Sequence, residues 1–240
     1  MDLLKQLYNI PSKSGKESRI KSFILDYLKD LDLSIETDDF GNIFITKGIA
    51  DIYPCITAHL DEVHDIEERI IVEEDGIIYA TNHNGERVGL GADDKNGVWI
   101  ALRLLEELPI LKVALFVEEE RDGEMAGCRG SGSCSLDRFK NTAFILAVDR
   151  KGSSDVVILR KGGVTLCDDT FVPKPHLEKY GYNCVEGGRT DVVALKERGL
   201  QQPCCNISCG YYNAHKAEEY TNIAHLSNAY AFVREWLQRM

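Results

Sequence analysis

The chain has 240 residues, with 28 Lys and Arg against 39 Asp and Glu, for a formal net charge of −11. Hydrophobic residues at 44% and charged residues at 28% are the balance of a soluble globular protein that buries its core without disulfide or metal staples. The acid excess argues against a nucleic-acid or anionic-membrane surface, each of which needs clustered Lys and Arg. No stretch approaches the ~18 apolar residues of a membrane span. Met1-Asp2-Leu3-Leu4-Lys5-Gln6 lacks a basic stretch followed by an apolar one, so no signal peptide and a cytoplasmic location are expected. In that compartment the eight cysteines are expected to be reduced thiols, and no Cys-x-x-Cys pair points to a thiolate metal knuckle.

In chain order, Ile20, Phe23, Ile24, Tyr27, Leu28 and Leu31 recur at helical spacing and predict a helix over residues 16–31. Asp39-Phe40-Gly41-Asn42 reads as a turn into a strand at Ile43-Phe44-Ile45-Thr46, and Cys55-Ile56-Thr57-Ala58 as a second apolar strand ending at His59-Leu60-Asp61. Asp75-Gly76 between two apolar runs, 69–72 and 77–79, predicts a hairpin. Val98, Ala101, Leu104, Leu105 and Leu108 predict a helix over residues 94–108. Buried-type strands follow at 113–117 and 144–148, and helices at 190–198 and 221–238. Continuous apolar strands alternating with amphipathic helices imply one α/β domain, layered about a buried sheet.

Polar groups appear where the apolar strands stop: His59 and Asp61, then Glu118, Glu119 and Glu120, then Asp149. Asp93 and Asp94 lie in a tight loop that opens a helix, and His215 lies in the polar stretch Gly210-Tyr211-Tyr212-Asn213-Ala214-His215. Ligand sites of α/β sheets gather at the carboxyl ends of the strands, so these groups can converge. Converging carboxylates need a cationic partner, and two divalent metals supply it. Imidazole and carboxylate donors suit zinc, with cobalt or manganese as alternatives.

Other signals carry less. Gly89-Leu90-Gly91-Ala92-Asp93-Asp94 ends on an anion and lacks Gly-Lys-Ser/Thr, which argues against a phosphate loop. Gly130-Ser131-Gly132-Ser133 lacks the spacing of a nucleophile elbow and reads as a turn. His64, His83, His176 and His225 read as surface or internally satisfied histidines, with His64 near enough to His59 to meet a substrate.

Taken in order, His59-Leu60-Asp61, Gly91-Ala92-Asp93-Asp94-Lys95-Asn96-Gly97, the Glu run, Asp149, Gly187-Gly188-Arg189-Thr190-Asp191 and the segment ending at His215 resemble the motifs of the co-catalytic di-zinc exopeptidases. The tripeptidase T, zinc aminopeptidase and acetylornithine deacetylase-like branches are the nearest in pattern. The resemblance implies a three-layer α/β/α sandwich around a mostly parallel mixed sheet. It implies that Asp93 bridges two metals, that His59 and Asp149 complete one site, and that Glu120 and His215 complete the other. Asp61 then orients His59 through the second ring nitrogen, and Glu119 is the general base. Glu118 as base with Glu119 as ligand is the neighbouring register, and Asp94 the less favoured bridge.

The chain departs from the pattern in three places. The intervals 61–93 and 149–215 leave little room for the family's inserted second domain, so residues 1–240 are expected to be a bare catalytic domain. Arg189 is an extra residue in the Gly-Gly-Thr-Asp segment, read as an exposed loop cation with carboxylate binding as the alternative. Arg121-Asp122-Gly123 replaces a shorter link after the Glu run. The implied activity is metal-dependent amide hydrolysis in small peptides, foremost as an aminopeptidase. The alternatives are an N-acyl amino acid deacylase or carboxypeptidase and, in another class, a silent metal-binding or interaction protein. Neither nucleic-acid nor membrane partners are expected, and the oligomeric state is left open.

Overall fold

Segments with unbroken apolar runs have no polar face to show to water, so they take the centre of a sheet covered on both sides. A computed structural model describes residues 1–121, 127–168 and 170–239. It begins with α1 (Asp2–Tyr8), α2 (Ser18–Leu28), β1 (Leu33–Thr37), β2 (Ile43–Lys47) and β3 (Tyr53–His59). Then come β4 (Ile70–Glu74), β5 (Ile77–Thr81), β6 (Arg87–Val88), α3 (Ala92–Glu107), β7 (Leu111–Phe116) and α4 (Arg129–Ser133). A 3-10 turn at Leu136–Phe139 leads to β8 (Thr142–Arg150), β9 (Asp155–Arg160), β10 (Val164–Thr165), α5 (Lys174–Tyr180) and β11 (Asn183–Gly187). The chain closes with α6 (Asp191–Glu197), β12 (Cys204–Ser208), β13 (Tyr211–Tyr212), β14 (Tyr220–Asn222) and α7 (Ile223–Leu237).

Among the described residues, nine strands form the main sheet in the order β1-β2-β7-β3-β8-β12-β9-β10, with β11 beside β9. Its centre, β7-β3-β8-β12, is parallel, and antiparallel pairings lie outside it. Alternate residues of the central strands enter two separate cores. Ile56, Val113, Leu115, Leu146 and Val148 join the core under α1, α2, α3 and α7. Cys55, Ala114, Phe116, Ile145 and Ala147 join the core on the opposite face with α6. This is the expected three-layer α/β/α arrangement around a mixed sheet, but the sheet is parallel only at its centre and at β11–β9, with as many antiparallel pairings as parallel ones, so it is not mostly parallel.

Helix α3 lies directly on the sheet, and Gly97 permits it: a Cβ there would stand 2.4 Å from the Val148 carbonyl oxygen. Pro109 follows the end of α3, where a proline cannot continue the helix. The predicted hairpin forms as β4–β5, and Asp75 and Gly76 both take the positive φ its turn requires, 49° and 77°.

The interval between Asp61 and Asp93 builds more than the expected hairpin and loop. Its strands join β13 and β14 in a second sheet, five-stranded among the described residues. The interval from Asp149 to His215 likewise holds several strands and two helices that widen the main sheet. Gly130-Ser131-Gly132-Ser133, expected as a turn, belongs to the short helix α4. Cys55, Cys128, Cys134, Cys167, Cys204, Cys205 and Cys209 are free thiols. Among the described residues, no helix is long and apolar enough to cross a membrane.

Candidate metal centre

Parallel pairing places the carboxyl ends of β7, β3 and β8 side by side, with His59 opposite Phe116 in register. His59 ends β3, Asp149 lies at the end of β8, and Glu119 and Glu120 follow β7. The loop opening α3 brings Asp93, and the loop after β13 brings His215. His59 Nε2 lies 3.3 Å from Asp93 Oδ1 and 3.5 Å from Asp149 Oδ1. His215 Nε2 lies 3.3 Å from Asp93 Oδ2 and 2.5 Å from Glu120 Oε1. Thus the two oxygens of Asp93 face different histidines. Two groups with ligand atoms within 4.8 Å of one another share this residue: His59, Asp93 and Asp149, and Asp93, Glu120 and His215. A third such group joins His59, Glu119 and Glu120.

The loop that presents Asp93 is held from behind. Gly91 takes a positive φ of 70°, and a Cβ there would fall 2.2 Å from Glu62 Oε2. Glu62 is itself locked between Arg69 and Lys95, each 2.9 Å away. Glu219, fully buried, accepts backbone N–H groups from Leu90, Gly91 and Asp93 at 3.0, 2.7 and 3.1 Å. The Asp93–Asp94 peptide is cis. Asp94 turns inward, its carboxylate accepting the N–H groups of His59 and Gly97 at 3.3 and 3.0 Å. It is fully buried and does not line the cleft, whereas Asp93 does.

The Glu run divides between two environments. Glu118 pairs with Arg129, and its N–H bonds Glu17, so it faces away from the centre. Glu119 and Glu120 line the cleft. Asp61 accepts both of their N–H groups, each at 2.9 Å, and thereby fixes their backbone. The ring nitrogen Nδ1 of His59 lies 3.0 Å from the Asp61 main-chain carbonyl and 3.5 Å from its carboxylate. Asp61 therefore orients His59 mainly through its main chain, while its carboxylate holds the Glu119–Glu120 segment. Cys128 donates its S–H to Glu119 Oε1 at 3.0 Å, a contact that carries no motif in the sequence.

These acids crowd a poorly hydrated space, and their proton affinities respond. Burial, reinforced by Asp93, pushes Asp149 up to about 6. Burial pushes Glu119 and Glu120 above the usual carboxylate range and Asp191 up to about 7. Asp93 is held below that range, because hydrogen bonds from His215 and His59 outweigh burial. Hydrogen bonds to Asp93 and Glu120 raise His215 to about 10. Burial opposes protonation of His59, but Asp149, Asp61 and Asp93 outweigh it. Burial raises most of the acids and the acids raise both histidines, so the site favours positive charge, and its oxygen and nitrogen donors fit divalent zinc-type ions.

The centre opens into a cleft of about 320 Å³. Thr190 and Tyr211, both within the recognised motifs, donate hydroxyls to Asp149 at 2.9 and 3.4 Å. Arg189 lines the same cleft. Of the remaining histidines, His176 bonds a main-chain carbonyl, His83 pairs with Glu68 and His225 meets Tyr212. His64 contacts Glu219, behind the Asp93 loop, at 3.2 Å. Glu219, Glu62 and Cys128 escaped the sequence reading, since a buried polar partner of a distant loop leaves no periodic or spacing signal. Asp122 and Gly123 of the departing segment after the Glu run lie outside the described residues.

No protein-family profile matches the chain, and no curated protein sequence does. Solved structures do share its fold. Aminopeptidase PepT from Bacillus cereus is 17% identical with a TM-score of 0.81, over 99% of this chain and 96% of that one. A tripeptidase from Staphylococcus aureus is 15% identical with a TM-score of 0.80, over 100% and 98%. An aminopeptidase from Desulfurococcus kamchatkensis is 17% identical with a TM-score of 0.73, over 100% and 94%. The chain thus shares the fold of these aminopeptidases and this tripeptidase.

Proposed function

We propose that this cleft hydrolyses the amide bond of short peptides with two divalent metal ions, zinc foremost, acting as an aminopeptidase. The observation that carries the reading is Asp93, whose two oxygens belong to two separate ligand groups at the carboxyl ends of parallel strands. His59 and Asp149 would hold one ion with Asp93, and Glu120 and His215 the other. Such ions supply Lewis acidity toward the scissile carbonyl and acidify water. Peptidase activity in solved proteins of the same fold supports the reaction class.

The protein's own groups account for the proton traffic. Glu119 is the acid of the Glu run left over once Glu120 faces His215. Its Oε1 is occupied by the Cys128 thiol, which leaves Oε2 to take a proton from the attacking water. The water oxygen bonds to the carbonyl carbon, the C–N bond breaks, and Glu119 passes its proton to the departing nitrogen. Asp61 keeps Glu119 and Glu120 in place through their N–H groups. The chain is read as one catalytic domain over residues 1–240, in which the intervals between ligands build sheet and cleft walls.

Glu119→Gln removes the base and retains the five proposed ligands. It is expected to bind metal as the parent does and to lose turnover about a thousandfold, within the range for a lost general base. Elemental analysis beside an aminopeptidase assay reads both, and undiminished turnover contradicts the assignment. A second reading, the deacylase or carboxypeptidase, draws on the cations Arg150, Lys151 and Arg189 that share the cleft.

A further inference from the structure

One wall of the cleft is acidic, and Arg150, Lys151 and Arg189 also line it, in a chain whose net charge is −11. Arg150 is committed, with two nitrogens on Asp155 Oδ2 at 3.2 and 3.0 Å. Arg189 has one long ion pair, 3.5 Å to Glu197, a side-chain contact with the Cys128 thiol, and a side chain 45% exposed. Such a pair leaves most of its five N–H donors free. Lys151 is exposed and has no carboxylate partner among the described residues. Neither Lys151 nor Arg189 neutralises the acids of the centre, so both remain available to an anion from outside.

Both cations lie beside the reacting end of the cleft. Lys151 lies two residues beyond Asp149, and its carbonyl accepts the Ser208 hydroxyl at 2.8 Å. The next residue, Gly152, is tied at 2.8 Å to Tyr211 and at 2.8 Å to Gly210. Arg189 precedes Thr190, whose hydroxyl donates to Asp149 Oδ2 at 2.9 Å. Lys151 therefore lies on a pinned bend after Asp149, and Arg189 on the link between β11 and α6 that holds Asp149 through Thr190.

We propose that Lys151 and Arg189 form a subsite for the free α-carboxylate of a short substrate. The proposal rests on the amide-hydrolysis reading and adds to it which end of the substrate is recognised. Guanidinium donors match a carboxylate in fork geometry, and the ammonium adds a mobile point charge. A cleft of about 320 Å³ is at the small end of ligand sites, which suits a substrate whose carboxylate lies near the scissile bond. The carboxylate belongs either to a di- or tripeptide or to an N-acyl amino acid, and a blocked amino end separates these sources.

The test compares a tripeptide, its C-terminal amide, its N-acetyl form and an N-acetyl amino acid as substrates of the zinc-loaded protein. It uses the parent chain, Lys151→Ala, Arg189→Ala and the double variant. The parent is expected to prefer free acid over amide by about tenfold in kcat/KM, mostly through KM, the scale of one charge-assisted hydrogen bond at a partly exposed site. In the double variant that ratio falls to about one, and Lys151→Arg with Arg189→Lys restores part of it. Calorimetric binding of acid and amide to Glu119→Gln reads the same preference without turnover. Equal handling of acid and amide by the parent, or a preference unchanged in the double variant, overturns the subsite while leaving the hydrolase reading intact. Cleavage of no member by zinc-, cobalt- or manganese-loaded protein overturns both.

Discussion

At the scale of single residues, the position of Asp93 is set by a carboxylate far from it in sequence. Glu219 accepts three backbone N–H groups of the Asp93 loop from a fully buried position. Glu219→Ala leaves those donors without a partner, and unmet buried donors cost about 1–3 kcal/mol each before relaxation and entering water. A loss of roughly 3 kcal/mol in unfolding free energy is expected by urea denaturation, together with weaker metal binding. An unchanged stability means that the loop is held by something else. This residue also marks where sequence reading runs out. His59 and Asp149 were legible because each ends an unbroken apolar strand, and Asp93 because it sits in a distinctive glycine-flanked loop. Glu219 sits in Lys216-Ala217-Glu218-Glu219, where nothing separates a buried acid from a solvated one. The burial of Asp94 and the outward turn of Glu118 depend equally on tertiary contacts.

At the scale of elements, the strands and α3 make the centre by ending together, and a buried ionic cluster supports the turn between them. Burial alone pushes the Glu62 carboxyl up, but Lys95 and Arg69 beside it outweigh burial and hold it below the ordinary value of 4.5. The sign follows: a group with a depressed folded value contributes stability in full above the unfolded value and loses it as pH falls through the folded one. Glu62→Gln, which strands two buried cations, is expected to cost about 3 kcal/mol near neutral pH. That difference from the parent narrows as pH drops below about 4.5. Chemical unfolding of both proteins at a series of pH values checks it, and a constant difference contradicts the ionised pair. The central strands β3, β7 and β8 and the long helices α3 and α7 were readable because their apolar pattern is strong. The helix α1 and the strands β9 to β12 were not, being short or interrupted by Gly, Pro and charge. Their place is decided by pairing with strands distant in sequence.

At the scale of the whole molecule, the three layers bring together acids spread over most of the chain, and part of the −11 charge is concentrated in one cleft. Divalent ions that bind only the folded state stabilise it by mass action, about 2.7 kcal/mol at a hundredfold excess over Kd. Metal content and stability are therefore expected to change together. The most direct measurement is zinc stoichiometry by calorimetry on chelator-stripped protein, comparing the parent with Asp149→Asn, Glu120→Gln and Asp93→Asn. The shared carboxylate predicts two equivalents in the parent, one tight equivalent in each of the single-site variants, and loss of tight binding at both sites in Asp93→Asn. One equivalent or none in the parent, or a single surviving tight site in Asp93→Asn, would contradict the two-metal centre.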